Sequence, residues 1–389
     1  MQIIVKLTTD CNFRCVYCSE GDKKSEYLQY STIKKLIDEL PELLDYCEDK
    51  DIELLWHGGE PLLVSRTFLE KCMDYAQKKL KKYNLKFLMQ TNGYLIDMNW
   101  IETFKKYNIG IGISLDGYEE LHDKNRITKK GEKTFDKILH NIHVMKEAGL
   151  SVGILMVLNT AQKVNVDQLY EFIRRESVSM KIRPVIPCGR ASEIKDSEVI
   201  YGRYIELLKV LYSKCLENDS SVSFILDPLD ELMQAILYDV PVCECSFNGT
   251  CGIYFFSLYS DGNIGFCGRS GSAENLIYGN LKDQSLISLY QSVQAQQIRH
   301  RQVFLQEHDC KNCDVWKLCR GGCSFEAINW YGTLEHKYPY CAQRKEFIHF
   351  LQTEGVKLLK QSLVRRKRVI RGLIKEEKAI LEDLENERK

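Results

Sequence analysis

The chain contains no apolar run approaching the roughly 20 residues needed to cross a bilayer, which excludes a helical membrane span. It has no excess of either charge, because 54 Lys and Arg balance 54 Asp and Glu. Nothing in that balance points to a general nucleic-acid binder or an electrostatically steered acidic partner. The N-terminal stretch MQIIVKLTTDC lacks the basic region and small-residue cleavage site of a secretory signal. There is no internal repeat and no low-complexity tract. What these absences leave is a cytoplasmic globular protein without nucleic-acid or membrane partners. Its 389 residues are enough for one large domain and a smaller one. The 44% hydrophobic and 28% charged composition is ordinary for that class.

Cysteine is the exception, at 16 residues. Without an export signal, clustered cysteines point to metal binding or redox chemistry rather than to disulfides. Three lie within Cys11–Cys18 and nine between Cys243 and Cys341, leaving only Cys47, Cys72, Cys188 and Cys215 on their own. Cys47, Cys72 and Cys215 sit in helical patterns and read as core fillers. Cys188, in Pro187-Cys188-Gly189, reads either as a cavity-facing thiol or as an ordinary loop residue.

Between residues 2 and about 190, short β-rich runs alternate with amphipathic helical stretches. Strand candidates are 3–8, 52–57, 85–90, 110–115, 152–158 and 180–186, with helices around 31–47, 65–82, 97–107, 132–148 and 166–175. Such alternation favours a parallel sheet covered by helices, with sites on the loops at strand C-terminal ends. The expected domains are a barrel over 1–195, a helical bridge over 196–242, a cysteine-rich domain over 243–342 and a helical extension over 343–389. The third contains an apparent hairpin with Asp261-Gly262 in its turn. The last has apolar residues near heptad spacing at Leu363, Ile370, Ile374 and Leu381, consistent with a packed helix or a partner-binding one.

The run CNFRCVYC places Cys11, Cys15 and Cys18 at C-x3-C-x2-C, directly after the first strand. Three thiolates are one short of the usual set for a cubane iron–sulfur cluster, so one iron stays open to a small molecule. A partial zinc site or unrelated thiols would be the bland alternatives. The spacing resembles the radical S-adenosylmethionine (radical SAM) superfamily. The resemblance implies a partial (β/α)6 barrel in an α/β fold, with the open iron chelating SAM. One electron from the cluster then cleaves SAM to a 5′-deoxyadenosyl radical. Cys11, Cys15 and Cys18 would be both metal ligands and catalytic residues.

Further elements follow in the family's order. Gly58-Gly59-Glu60-Pro61 ends the second strand; glycines allow close backbone approach to a ligand and a carboxylate can pair with an ammonium. In the family this element holds the methionine amine of SAM. The third strand ends at Gln90-Thr91-Asn92-Gly93 and the fourth at Ser114-Leu115-Asp116-Gly117, placing short polar side chains where they can bond a ribose or a carboxylate. The stretch SLDGYEELHDKNR resembles peptide-modifying members of the superfamily, which makes Ser114, Asp116 and Arg126 candidate SAM-binding residues; Gln90 and Asn92, at the end of the third strand, and Asn159, after the fifth, are further candidates. Asp116 could instead cap the following turn. Tyr17 matches the family's aromatic position against adenine, or is mere packing.

The later cysteines, Cys251, Cys267, Cys310, Cys313, Cys319, Cys323 and Cys341, resemble the SPASM domain, an auxiliary-cluster module of some radical SAM enzymes. Cys245 completes eight thiolates, enough for two fully ligated [4Fe–4S] clusters; Cys243 is a rival for its place. The resemblance implies Cys245, Cys251, Cys267 and Cys323 at one cluster, and Cys310, Cys313, Cys319 and Cys341 at the other. Structural zinc is the competing reading of such sets.

The implied cofactors are therefore SAM and three [4Fe–4S] clusters, with an external flavodoxin- or ferredoxin-like one-electron reductant. Two subfamilies compete for the reaction. Anaerobic sulfatase-maturating enzymes oxidise Cys or Ser to formylglycine and carry an aspartate base immediately after the position of Cys267. Here Gly268 stands there, followed by Arg269, and glycine cannot take a proton. The other group installs thioether or carbon–carbon crosslinks in ribosomally made precursor peptides. Many of its members carry an N-terminal leader-binding domain, which this chain is expected to lack, so a separate leader-binding protein is an expected partner. Crosslinking is the favoured expectation; sulfatase maturation, peptide epimerisation, redox-cofactor biosynthesis and a non-enzymatic zinc-binding role are the alternatives.

Overall fold

The computed structural model describes residues 1–22, 24–194, 196–217, 225–269 and 276–361. Six strands, β1 (Gln2–Lys6), β2 (Asp51–His57), β3 (Asn84–Thr91), β4 (Gly110–Ser114), β5 (Val152–Leu158) and β6 (Met180–Pro184), are joined in sequence order by parallel pairing. Parallel neighbours need crossover connections, and helices Tyr30–Tyr46, Arg66–Lys79, Met98–Lys106, Phe135–Glu147 and Val166–Glu176 supply them. The helix-covered parallel sheet favoured by the alternating pattern is therefore present, as the family resemblance also implies, with strand boundaries close to those read from the sequence.

Local chemistry explains the elements. Along β5, Val152, Ile154, Met156 and Leu158 are buried while the residues between them are half-buried, the period-two pattern of a strand packed on one face. Ser65, Asp97 and Asn165 cap the following helices by accepting from backbone N–H groups one turn in. Under the sheet Trp56 is fully buried, with its ring 6.1 Å from that of Phe87.

Two features go beyond the expected organisation. Within the stretch read as a helical bridge, β7 (Leu226–Asp227) pairs parallel with β6, between helices Ser197–Glu217 and Leu229–Tyr238. The cysteine-rich domain, in turn, is stitched into the barrel sheet. Its strand β8 (Phe255–Leu258) pairs parallel with β1, and β9 (Asn263–Gly265) and β10 (Ile277–Asn280) continue antiparallel. The result is one ten-stranded sheet in the order β10-β9-β8-β1-β2-β3-β4-β5-β6-β7. The partial barrel would otherwise leave β1 with an unpaired row of backbone donors and acceptors; β8 fills it. The β8–β9 turn is the expected one, with Gly262 at φ 95°, a left-handed conformation that glycine adopts freely.

After Cys341 the chain is helical from Cys341 through Gln361. The heptad-like positions from Leu363 onward lie outside the described residues. Among those residues, no helix is long and apolar enough to cross a membrane.

Candidate active site

The loop carrying Cys11, Cys15 and Cys18 leaves β1 and is clamped from two sides. On one side Arg14 N and Val16 N donate to the carbonyls of Ile127 and Asn125 at 2.8 and 2.9 Å, and Lys129 N donates to Asn12 O at 3.0 Å. The segment following LHDKN thus runs against the cysteine loop as an antiparallel partner. On the other side Arg190 N donates to Cys18 O at 2.9 Å and its guanidinium to Cys15 O at 3.1 Å. Gly189 makes this approach possible: at φ 58°, a Cβ there would lie 2.3 Å from Cys18 O. The sequence drew attention to Cys188, but it is its two successors that grip the loop.

The three thiols act on one another electrostatically, and burial raises Cys11 to about 12 and Cys15 to about 11. Phe13 N donates to Cys11 Sγ at 3.3 Å, and Asn92 Nδ2 lies 3.9 Å from it while bonding Asn12 Oδ1 at 2.7 Å. Such N–H groups aimed at sulfur stabilise a thiolate once metal displaces its proton.

The glycine pair of the GGEP turn has a structural reason of its own. Gly59 N and Glu60 N donate to Thr8 O and Asp10 O at 2.7 and 2.8 Å. A Cβ on Gly59 would sit 2.1 Å from Asp10 O, so the close approach glycine permits here is to the start of the cysteine loop. Nor does Glu60 project freely. Its carboxylate is 1% exposed and accepts from Thr91 Oγ1 at 2.5 Å, Leu62 N at 3.0 Å and Asn92 N at 2.8 Å. It joins the ends of β2 and β3, while Pro61 opens a single helical turn. Burial raises its pKa to about 7 against the pull of those donors. His57, just before the turn, is held neutral by burial and by the nearby Lys6 charge, with its pKa lowered to about 4.

Gln90 and Ser114 meet across β3 and β4, Gln90 Nε2 donating to Ser114 Oγ at 2.9 Å. Gly112 opposite Gln90 leaves room for the amide; a Cβ there would be 2.3 Å from Gln90 Oε1. Asp116 is fully buried at the centre of a second group. One oxygen accepts from Val157 N at 3.0 Å, and the other is bonded by Tyr17 Oη and lies 3.1 Å from Arg126 Nε. Asp116 is therefore the counterion of Arg126, not a turn cap. Tyr17 packs on Val185 and Ala191, with the Arg126 guanidinium 5.3 Å from its ring centroid.

His122, inside the same motif, fixes this arrangement. Asp116 N donates to His122 Nδ1 at 3.1 Å, and Thr134 Oγ1 donates to Arg126 O at 2.7 Å. The 3.0 Å contact between His122 Nε2 and Thr134 Oγ1 must then have the imidazole as donor, which assigns the Nε2–H tautomer. Burial, with the Arg126 charge, drives its pKa well below the usual value. Asp123, next in line, caps helix Phe135–Glu147 by accepting from Thr134 N and Phe135 N at 2.9 and 3.1 Å. Asn159 donates to Asn125 Oδ1 at 3.1 Å.

Among the buried polar atoms left without a hydrogen-bond partner here are Asn159 Oδ1, Gln162 Oε1, Arg190 Nε and Arg126 Nε, the last approaching Asp116 as an ion pair. Buried polar atoms left open are costly unless something completes them. An acceptor and a cationic donor at the barrel mouth fit a ligand with both amine and carboxylate, as SAM has.

The eight later thiols fall into two mutually interacting sets. Cys267 and Cys323 each feel Cys251 and Cys245; Cys310 feels Cys319, Cys313 and Cys341. Burial raises both Cys267 and Cys310 to about 12. Cys243 is exposed and interacts with carboxylates and Lys181 rather than with thiols, which places Cys245 in the first set. Among the described residues, no three His, Cys, Asp or Glu side chains converge tightly enough to hold a single metal ion. A narrow cavity of about 40 Å³, room for a water or two, opens beside Cys245 and Cys323.

Charged groups not singled out from sequence surround the first set. Buried Glu244 binds Arg183 and lies 3.0 Å from Lys181, and Arg183 Nη2 is 4.0 Å from Cys245 Sγ. Arg301 donates to the carbonyls of Leu334, Gly322, Gly321 and His336 at 2.8–3.1 Å and interacts with thiols of both sets. Lys6 pairs with Glu20 just inside the barrel. Only Lys6 carries a clear signal in the sequence, a lone charge in an apolar strand. Cys188 is buried among Arg269, Glu326, Glu20 and Cys18, and burial raises it to about 11.

Comparison with known proteins agrees with this layout. Residues 5–173 match the family model of the Radical SAM superfamily, and residues 245–314 match SPASM, an iron–sulfur cluster-binding domain. A cysteine-type anaerobic sulfatase-maturating enzyme from Clostridium novyi (strain NT) is 27% identical over 82% of this chain and 87% of its own length. Among solved structures, anSMEcpe with bound AdoMet and Kp18Cys peptide is similar at TM-score 0.78 and 22% identity, over 92% of this chain and 99% of that one. Streptococcus suis SuiB bound to precursor peptide SuiA is similar at TM-score 0.63 and 16% identity, over 87% and 75%.

Proposed function

We propose, from the premise that this chain belongs to the radical SAM superfamily and carries a SPASM domain, that it oxidises a side chain of a ribosomally made precursor peptide and closes a crosslink there. As an enzyme of this kind it uses SAM, a [4Fe–4S] cluster and auxiliary iron–sulfur clusters. Bound SAM supplies a 5′-deoxyadenosyl radical that takes a hydrogen atom from carbon. The chain's own residues hold, orient and shield. Cys11, Cys15 and Cys18 are the proposed ligands of the SAM cluster. Asn159 Oδ1 and Arg126 would meet the amine and carboxylate of SAM, Asp116 and Tyr17 fix Arg126, and Glu60 keeps the GGEP backbone against the cysteine loop. Gln90, Asn92 and Ser114 are the proposed polar contacts at the ends of β3 and β4. Cys245, Cys251, Cys267 and Cys323, and Cys310, Cys313, Cys319 and Cys341, are the proposed ligand sets of the two auxiliary clusters.

The observation that carries the crosslinking reading is Gly268. It lies against Ile4 and Lys6 with no side chain to accept a proton, and the next side chain is the cation of Arg269. A cation favours a thiolate arriving as nucleophile, whereas forming an aldehyde requires a base at this place. Joining a thiol to a carbon that has lost a hydrogen atom releases one proton and one electron, and a cluster held by Cys245, Cys251, Cys267 and Cys323 would supply the electron acceptor. The second reading is formylglycine formation, favoured by the end-to-end similarity to sulfatase-maturating enzymes.

Co-expression with a candidate precursor peptide, and separately with a sulfatase peptide, followed by tandem mass spectrometry, separates the two. A crosslink removes two hydrogens and suppresses fragmentation between the joined residues. Formylglycine leaves fragmentation intact and reacts with a hydrazide probe. An aldehyde on a sulfatase peptide would overturn the crosslinking assignment.

A further inference from the structure

An iron–sulfur centre held by four thiolates is anionic, and reduction adds another negative charge, so its potential rises with nearby positive charge and with N–H groups aimed at its sulfurs. The cations around Cys245, Cys251, Cys267 and Cys323 are not equivalent. Arg183 is matched by Glu244, whose carboxylate it binds. Arg301 is bound to four carbonyls and acts on thiols of both sets. Arg269 acts most directly on thiols, chiefly those of this one set. Its backbone N–H donates to Cys267 Sγ at 3.4 Å, and its guanidinium acts on Cys323, Cys267, Cys188 and Cys245. Three of those four belong to a single ligand set, and Arg269 also lines the cavity beside Cys245 and Cys323. On its other side its charge reaches His57 at the end of β2, so it stands between the auxiliary set and the barrel mouth.

We propose that Arg269 is the positioned charge that raises the reduction potential of the iron–sulfur centre held by Cys245, Cys251, Cys267 and Cys323. Its guanidinium favours the extra electron on that centre. This assignment rests on the cluster ligands but not on which substrate bond is made. Where a carboxylate would lower the potential at this place, the arginine raises it, so the charge here bears on redox bias as well as on proton transfer.

The test needs no peptide. In a background with Cys11, Cys15 and Cys18 changed to Ala, only the auxiliary centres remain. Anaerobically reconstituted R269Q and R269K are first assayed for iron and sulfide, then titrated electrochemically with EPR detection. R269Q should disfavour reduction of one centre by at least tenfold, about 59 mV for a one-electron couple, leaving the other unmoved. R269K, which keeps the charge, should stay within that interval. The proposal is overturned if R269Q is fully loaded with unchanged midpoints, or if R269K falls as far as R269Q, which would indicate packing rather than charge. Failure of both variants to load iron would assign Arg269 to assembly and would also overturn it. Because no substrate is involved, a negative result leaves the proposed reaction standing.

Discussion

Replacing Asp116 with Asn keeps the shape of the hub beneath the proposed SAM site and removes its charge. The carboxylate is fully buried, and Arg126, whose side chain is 9% exposed, lies 3.1 Å from it. An Asn can still accept from Val157 N and meet Tyr17, so the loss is concentrated on Arg126. Breaking a buried pair on one side costs about 3–5 kcal/mol, because the remaining charge keeps its desolvation penalty without its partner. With two of the three contacts retained, about 3 kcal/mol is the expected loss. For a chain of 389 residues that lowers the melting temperature by roughly 4 °C. The assay is an anaerobic thermal melt of cluster-loaded D116N beside wild type, R126M and the double variant. D116N/R126M should recover at least half of the loss, since it no longer buries an unpaired cation. If D116N melts within about 1 °C of wild type, or if the two losses simply add, Asp116 is not the counterion inferred here.

Gly189→Ala places a Cβ 2.3 Å from Cys18 O and 2.6 Å from Ser19 O at φ 58°, and neither backbone contact can yield without moving the cysteine loop. The expected result is loss of the SAM cluster alone, so that iron falls from about 12 to about 8 per chain; full iron content would refute the clamp. Acid stability between about pH 5 and 7 follows from four shifted groups. His57, lowered from 6.5 to about 4, is neutral in the native state while the unfolded chain takes up protons, so it destabilises the fold as pH falls through that window. Glu60, raised from 4.5 to about 7, acts oppositely: its stabilisation is complete below 4.5 and is lost as pH rises through about 7. His122, also lowered, acts with His57, and Asp227, which burial raises to about 7, acts with Glu60, so the slopes largely cancel between 4.5 and 6.5. Urea midpoints should therefore change little from about pH 6.5 to about pH 5, and H122Q should make them rise as pH falls; an unchanged slope in H122Q would contradict this assignment.

The strands and the cysteine sets were legible because they rest on local periodicity and short spacings. Cys310, Cys313 and Cys319 are close in sequence and act on one another in space, and β5 carries its alternation openly. The order of GGEP, SLDG and the late cysteines did the rest. What the sequence did not disclose is held by contacts between distant residues. Nothing near Gly189 announces that it must lie against Cys18, and nothing in LHD says that the histidine orients Asp116 or that the aspartate caps a helix. Glu60 reads as an exposed ligand-binding carboxylate until Thr91, Leu62 and Asn92 are seen to enclose it. Burial depends on what arrives from elsewhere in the chain, and a motif does not carry that information.

The parallel pairing of β8 with β1 has a mechanical meaning. The strand that leads into the cysteine loop is hydrogen-bonded on one side to the barrel and on the other to the domain holding the later cysteines. The separation between the N-terminal cysteine loop and the later cysteines is therefore set by strand spacing, as in a ruled frame, and not by a hinge. A chain cut before β8 would lose Cys267 and every cysteine after it and also expose the edge of β1, the strand that leads into the N-terminal cysteine loop.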